Sequence, residues 1–142
     1  MGETILCAHG DPAVLPVLRC MLVAEGWEAL VSDSGFEAVR LALQHYPDVM
    51  LLDVCLRDLD GYAVRRAVAK LLPCEPPPVV FISNGNADDL LRAFFAGGAG
   101  CLSAPFTRER VVPFVRRILA EPDEFFCGIA VPRLERGAPA GG

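Results

Sequence analysis

A chain of 142 residues, 53% hydrophobic and 22% charged, is long enough for one cored domain and too apolar to be disordered. Its formal net charge of −5 leaves no positive excess to displace counterions, and no basic run is interleaved with aromatics, so nucleic acid is not an expected partner. No apolar run approaches the roughly 18 residues of a membrane span. The start, Met1-Gly2-Glu3-Thr4-Ile5-Leu6, carries neither a basic signal region nor a myristoylation motif, which predicts a cytoplasmic protein with no membrane partner.

Along the chain, uninterrupted apolar runs alternate with amphipathic stretches. Ile5-Leu6-Cys7-Ala8 reads as a strand, followed by a helix carrying Val14, Leu18, Met21 and Leu22. Asp11 is its expected N-cap, Pro12 lies in its first turn, and it ends near Gly26. Ala29-Leu30-Val31 leads to a helix from about Ser34 to His45 with Val39 and Leu43 on one face. Val49-Met50-Leu51-Leu52 precedes a helix from near Asp60 carrying Ala63, Val64, Ala67 and Leu71. Val79-Val80-Phe81-Ile82 precedes one from about Ala87, which presents Leu90, Leu91, Phe94 and Phe95 and stops at Gly97-Gly98; Phe94 and Phe95 are expected mostly in the core, with one of these adjacent aromatics partly exposed. Cys101-Leu102 leads to a last helix from Thr107 with Val111, Val115, Ile118 and Leu119; Pro113 should kink it or delay its start.

Strands without alternation suit a parallel sheet covered on both faces. Five βα units in sequence imply right-handed crossovers and a doubly wound α/β sheet, whose functional crevice opens beyond the strands' carboxyl ends. That rule selects His9 to Asp11, Asp53 to Arg57, Ser83 to Asn86 and Ser103 to Phe106 as candidate site residues. Residues 1–120 form the expected domain and 121–142 an extension. Its apolar part, Phe125 to Pro132, could dock on the domain, while Gly137 to Gly142 is expected to be mobile. The cysteines, Cys7, Cys20, Cys55, Cys74, Cys101 and Cys127, are scattered singly and read mostly as small buried hydrophobes rather than as redox or metal sites.

Pro47-Asp48-Val49-Met50-Leu51-Leu52-Asp53 with Asp58-Leu59-Asp60-Gly61 resembles the segment around the phosphoacceptor of response-regulator receiver domains. Pro78-Val79-Val80-Phe81-Ile82-Ser83 is similar to that family's fourth strand, and Ala96 to Phe106 to the block ahead of its last helix. The resemblance covers roughly residues 4 to 120. It implies a flavodoxin-like fold with strand order 2-1-3-4-5, Asp53 as phosphoacceptor position and Ser83 as switch hydroxyl.

The family's chemistry also uses two acidic residues after the first strand to hold magnesium, and a lysine after the fifth strand. Phosphoryl transfer is mainly positioning and charge neutralisation, so these groups are most of the catalyst. By the resemblance the acidic pair falls on His9 and Gly10 and the lysine on Ala104. Lys70, on the third helix, is the chain's single lysine. The family's aromatic switch position is Cys101, and the proline after the phosphoacceptor loop is Arg57. Magnesium-dependent phosphorylation of Asp53 should therefore be weak or absent.

The expected function is a non-enzymatic, stand-alone receiver-type protein of a two-component phosphorelay, acting through contacts with a sensor kinase or downstream signalling protein. Only about 22 residues follow the last helix, too few for an output domain. No cofactor is expected, with magnesium only if Asp53 is phosphorylated. A homodimer through the face of helix four, strand five and helix five is a further expectation from the resemblance. Alternatives are a functioning phosphoacceptor with unusual metal handling and, from a different class, a small metal-dependent hydrolase in the same crevice. At residue level, His9 or Arg57 could pair with Asp53, His9 with Asp11 and Asp53 could take zinc, and Cys55 with Cys101 could form a redox pair.

Overall fold

The computed structural model describes residues 2–129. Among the described residues, six parallel strands form one sheet in the order β2-β1-β3-β4-β5-β6. They are β1 (Thr4–Ala8), β2 (Glu28–Ser32), β3 (Val49–Asp53), β4 (Val79–Ser83), β5 (Gly100–Ser103) and β6 (Phe126–Gly128). Five helices connect them: α1 (Val14–Val23), α2 (Gly35–His45), α3 (Gly61–Leu71), α4 (Ala87–Phe95) and α5 (Arg108–Ala120).

The apolar runs become the central strands because both sheet faces are covered. Ile5, Leu51 and Ile82 face one core with Leu18 and Leu22 of α1 and Val111, Val115 and Ile118 of α5. Leu6, Met50, Leu52 and Phe81 face the other, with Ala38 and Ala42 of α2, Val64 and Val68 of α3 and Ala93 of α4. Every strand therefore delivers its carboxyl end to the same edge, which places Asp53 and Ser83 side by side in the β3–β4 register, where Asp53 pairs with Ile82.

Several local expectations are corrected. Helix α1 starts at Val14, not at Pro12. Pro16 explains the shift: in a helix begun at Pro12 it would sit beyond the first turn, lacking a needed N–H and meeting the carbonyl four residues back. Asp11 still supports the start, its carboxylate accepting from the Ala13 amide at 3.0 Å. Pro113 delays nothing, since α5 begins at Arg108 and continues to Ala120 with Pro113 at the exposed surface. In α3 the buried stripe is Tyr62, Val64 and Val68, and Leu71 is exposed.

Helix α4 departs furthest. Leu91, Phe94 and Phe95 are exposed, the last at 79%, and Ala93 is the residue pressed on the sheet. A small residue is needed there because the following turn folds tightly: a Cβ on Gly98 would lie 2.9 Å from both the Ala93 carbonyl oxygen and the Phe81 ring.

Within the extension from 121, Phe126–Gly128 form the short strand β6 on the β5 edge, while Ala130 to Pro132 of the segment expected to dock lie outside the described residues. Phe126 packs toward α5, under the Arg117 guanidinium at 4.3 Å, while Phe125 and Ile129 pack toward the other core. Arg110 of α5 donates to the carbonyls of Ser103, Pro105 and Gly128, tying β5, the loop after it and β6 together. Gly137 to Gly142, expected to be mobile, lie outside the described residues.

Candidate functional site

The carboxyl ends of β1, β3, β4 and β5 enclose a crevice of about 580 Å³ whose lining includes His9, Asp53, Ser83, Asn86, Arg92 and Ala104. A larger concavity of about 730 Å³ lies elsewhere, against Pro47, Pro78, Gly97 and Phe125, and contains none of the sequence-predicted site residues. The chemistry points to the first.

Asp53 ends β3 with its side chain 13% exposed. Both carboxylate oxygens are taken by backbone: Oδ2 accepts from the Gly10 amide at 2.9 Å and Oδ1 from the Cys55 amide at 3.0 Å. Gly10 is required for this. A Cβ there would stand 2.8 Å from the Cys55 carbonyl oxygen and 3.4 Å from Asp53 Oδ2, so the loops after β1 and β3 close on each other only over a residue without a side chain.

His9 lies beside this pair, its Nδ1 3.6 Å from Asp53 Oδ2. That nitrogen accepts the Asp11 amide at 3.0 Å, so it is the unprotonated ring position and offers Asp53 no hydrogen bond. The ring meets Phe106 edge-on at 5.9 Å. Arg57 is turned away from Asp53 and pairs with Asp33 at 3.3 Å on the surface. The Asp11 carboxylate is spent on its own turn, so His9, Asp11 and Asp53 are no zinc triad; among the described residues no group of His, Cys, Asp and Glu is placed to hold a metal.

Magnesium wants hard oxygen donors in near-octahedral array. Of the crevice's carboxylates, Asp53 accepts two amides beside an imidazole, Asp11 and Asp60 accept amides of their own turns, and Gly10 leaves no room for a carboxylate-bearing side chain. The residues present do not fit that ion.

Ser83, at the end of β4, accepts the Gly85 amide at 3.1 Å, and its Oγ lies 3.5 Å from Cys101 Sγ. Burial pushes the Cys101 thiol upward from its ordinary pKa. Ala104 is exposed at the crevice wall. Thus Asp53, Ser83, His9, Gly10 and Ala104 all converge on the end of the sheet that the sequence selected. Cys55 does not join Cys101: it follows β3, two strands away, about 9.6 Å by strand spacing, where a disulfide needs Cα atoms within about 7 Å.

Three contributors were missed. Arg92 of α4 brings a guanidinium to the crevice, 4.7 Å over the Tyr62 ring. Tyr62 stacks on Phe81 at 4.6 Å, and its buried hydroxyl has no hydrogen-bond partner. Asp58 anchors the β3–α3 loop by accepting from Ser34 Oγ and the Gly35 amide, each at 2.7 Å, and from the Phe36 amide at 3.2 Å. The Ser-Gly pair opening α2 was the available signal for the last.

Residues 5–116 match the response regulator receiver domain family. The chain belongs to that family. The receiver is 28% identical over 112 residues to the transcriptional regulatory protein KdpE of Mycobacterium tuberculosis, covering 79% of this chain and 49% of that protein. It therefore spans about half the length of this curated relative. Among solved structures, a response regulator from Chloroflexus aurantiacus J-10-fl superposes with TM-score 0.77 at 28% identity, over 84% of this chain and 99% of that one. A Francisella response regulator receiver domain superposes with TM-score 0.76 at 20% identity, over 85% and 99%, a likeness of fold alone. The sheet order 2-1-3-4-5 and the five helices are those of the receiver fold, with β6 added at the edge. No helix among the receiver's described residues is long and apolar enough to cross a membrane.

Proposed function

We propose that this receiver signals in the cytoplasm through protein contacts, without an enzymatic role and with weak or no magnesium-dependent phosphorylation of Asp53. One observation carries the reading: around Asp53, where the family's scheme puts a metal, no group of His, Cys, Asp and Glu among the described residues is placed to hold one, and the partners of the carboxylate are the Gly10 and Cys55 amides. With His9, Gly10 and Ala104 at the positions of the acidic pair and the lysine, the groups that neutralise phosphoryl charge are missing. Losing one preorganised donor typically costs about 10²–10³ in rate, and two kinds are lost here.

The partners proposed are a sensor kinase or a downstream signalling protein. Exposed Leu91, Phe94 and Phe95 on α4, with Phe94 meeting Phe125 at 5.3 Å, supply the apolar surface that such contacts use. A homodimer on this side would meet β6 rather than a bare β5 edge.

A pull-down with wild type beside Asp53→Ala and Asp53→Glu tests the proposal. Equal capture of the same partner by all three is expected. Capture that is lost in Asp53→Ala and enhanced in Asp53→Glu would show that signalling passes through the carboxylate.

A further inference from the structure

Cys101 of β5 and Cys127 of β6 are register partners in the parallel ladder. Parallel neighbours in register lie about 4.8 Å apart and point to the same sheet face. The packing agrees: Cys101 belongs to the core under α2, α3 and α4, and Phe125 and Ile129, on either side of Cys127 at the two-residue strand period, pack against that same core. Phe126, between them, packs against the opposite one. All six cysteines are free thiols; against the expectation of burial Cys20, Cys55, Cys74 and Cys127 are exposed, so this pair joins a buried thiol, Cys101, to an exposed one.

From this geometry we infer that Cys101 and Cys127 are an oxidation site, forming a reversible disulfide that fastens β6 to the sheet. The spacing falls inside the about 4.4–6.8 Å between Cα atoms that a disulfide spans. Direct register partners keep their Cβ atoms about as far apart as their Cα atoms, slightly beyond the usual Cβ separation, and a bond under such tension is the readily reduced kind.

The chemistry closes with a peroxide as oxidant. The exposed Cys127 thiolate attacks hydrogen peroxide, breaking its O–O bond; sulfur is oxidised to the sulfenic acid and hydroxide leaves, taking a proton to become water. The Cys101 sulfur then displaces the sulfenic oxygen. The S–S bond forms, the S–OH bond breaks, and the Cys101 proton leaves with the oxygen as a second water. Two thiols have lost two electrons and peroxide has gained them.

The bond would reach into the crevice as well. Cys101 Sγ now rests 3.5 Å from Ser83 Oγ, and turning toward Cys127 takes it from that hydroxyl. Oxidation at the sheet edge would thus change the surroundings of Ser83 while holding β6 closed over β5. This inference does not depend on how Asp53 is used.

The test uses the full chain, reduced, then treated with equimolar hydrogen peroxide, alkylated, digested and analysed without reductant by mass spectrometry. A cross-linked peptide pair containing Cys101 and Cys127 is expected, lost on treatment with dithiothreitol. In Cys127→Ser the pair is lost; in Cys101→Ser, dimedone labels Cys127 as the stranded sulfenic acid. Amide hydrogen exchange adds a readout independent of the variants: exchange at residues 126–128 slows on oxidation of the wild type. The inference is overturned if Cys127 stays a free thiol while peroxide is consumed, or if it cross-links to Cys55, Cys74 or a second chain instead.

Discussion

Asp53 and Asp58 sit at the two ends of the same loop, and each holds backbone amides, yet they are built for different work. Asp58 reaches across to α2, where the Ser34 hydroxyl first, then the Gly35 and Phe36 amides, hold its carboxyl well below the usual carboxylate range. Asp53 accepts two amides only, at the wall of an open crevice. One carboxylate is a fastening between a loop and a helix N-terminus. The other lines the crevice, held there by two amides. The contrast teaches that this loop is tied at one end to α2 and at the other to the loop after β1, through carboxylates that accept neighbouring amides.

The largest effect should come from the joint between the two regions. Gly61 opens α3 directly over the end of β3, and a Cβ there would lie 2.5 Å from the Asp53 carbonyl oxygen. Gly61→Ala should cost about 3 kcal/mol, read as a lower urea midpoint at unchanged slope.

Asp58→Asn comes next, lowering the thermal midpoint by several degrees at neutral pH. The folded state holds Asp58 ionised more firmly than the unfolded chain, whose carboxyl titrates near about 3.9. Its contribution is therefore whole above about pH 5 and is lost as the pH falls below about 4. Wild type and Asp58→Asn should converge in acid melts; a gap that persists unchanged to low pH would put the effect elsewhere.

Asp53→Asn should be milder, about 1 kcal/mol, because one amide acceptor survives. A loss equal to that of Asp58→Asn would erase the distinction between the two residues. The smallest effect is the most pointed: millimolar magnesium should leave the thermal midpoint of wild type unmoved, since a ligand stabilises only by binding the folded state. An upward shift abolished by Asp53→Ala would reveal a working metal site.

Much of this was legible in the sequence because the central strands are buried on both faces and read as unbroken apolar runs. The crevice residues followed from the same rule, since parallel strands deliver His9, Asp53, Ser83 and Ala104 to one edge. Helix faces were less legible. Leu91, Phe94 and Phe95 keep helical spacing, but close packing chose Ala93, and spacing alone does not tell a small buried residue from a large exposed one. The β6 strand was too short for periodicity to announce, and its place depends on Arg110 and on Gly100 and Gly128, which make room for Phe114. The cysteine partner of Cys101 was hidden for the same reason, since the register with Cys127 exists only once β6 is in the sheet. Arg92 and Tyr62 escaped because the crevice was read from the strand ends and the loops after them, whereas these two reach it from helices α4 and α3.

The most direct test of the account is incubation of the purified chain with a small-molecule phosphodonor, with and without magnesium, followed by intact-mass analysis of wild type and Asp53→Ala. The account predicts little or no incorporation and no difference between the two proteins. Stoichiometric, magnesium-dependent incorporation that disappears in Asp53→Ala would contradict it.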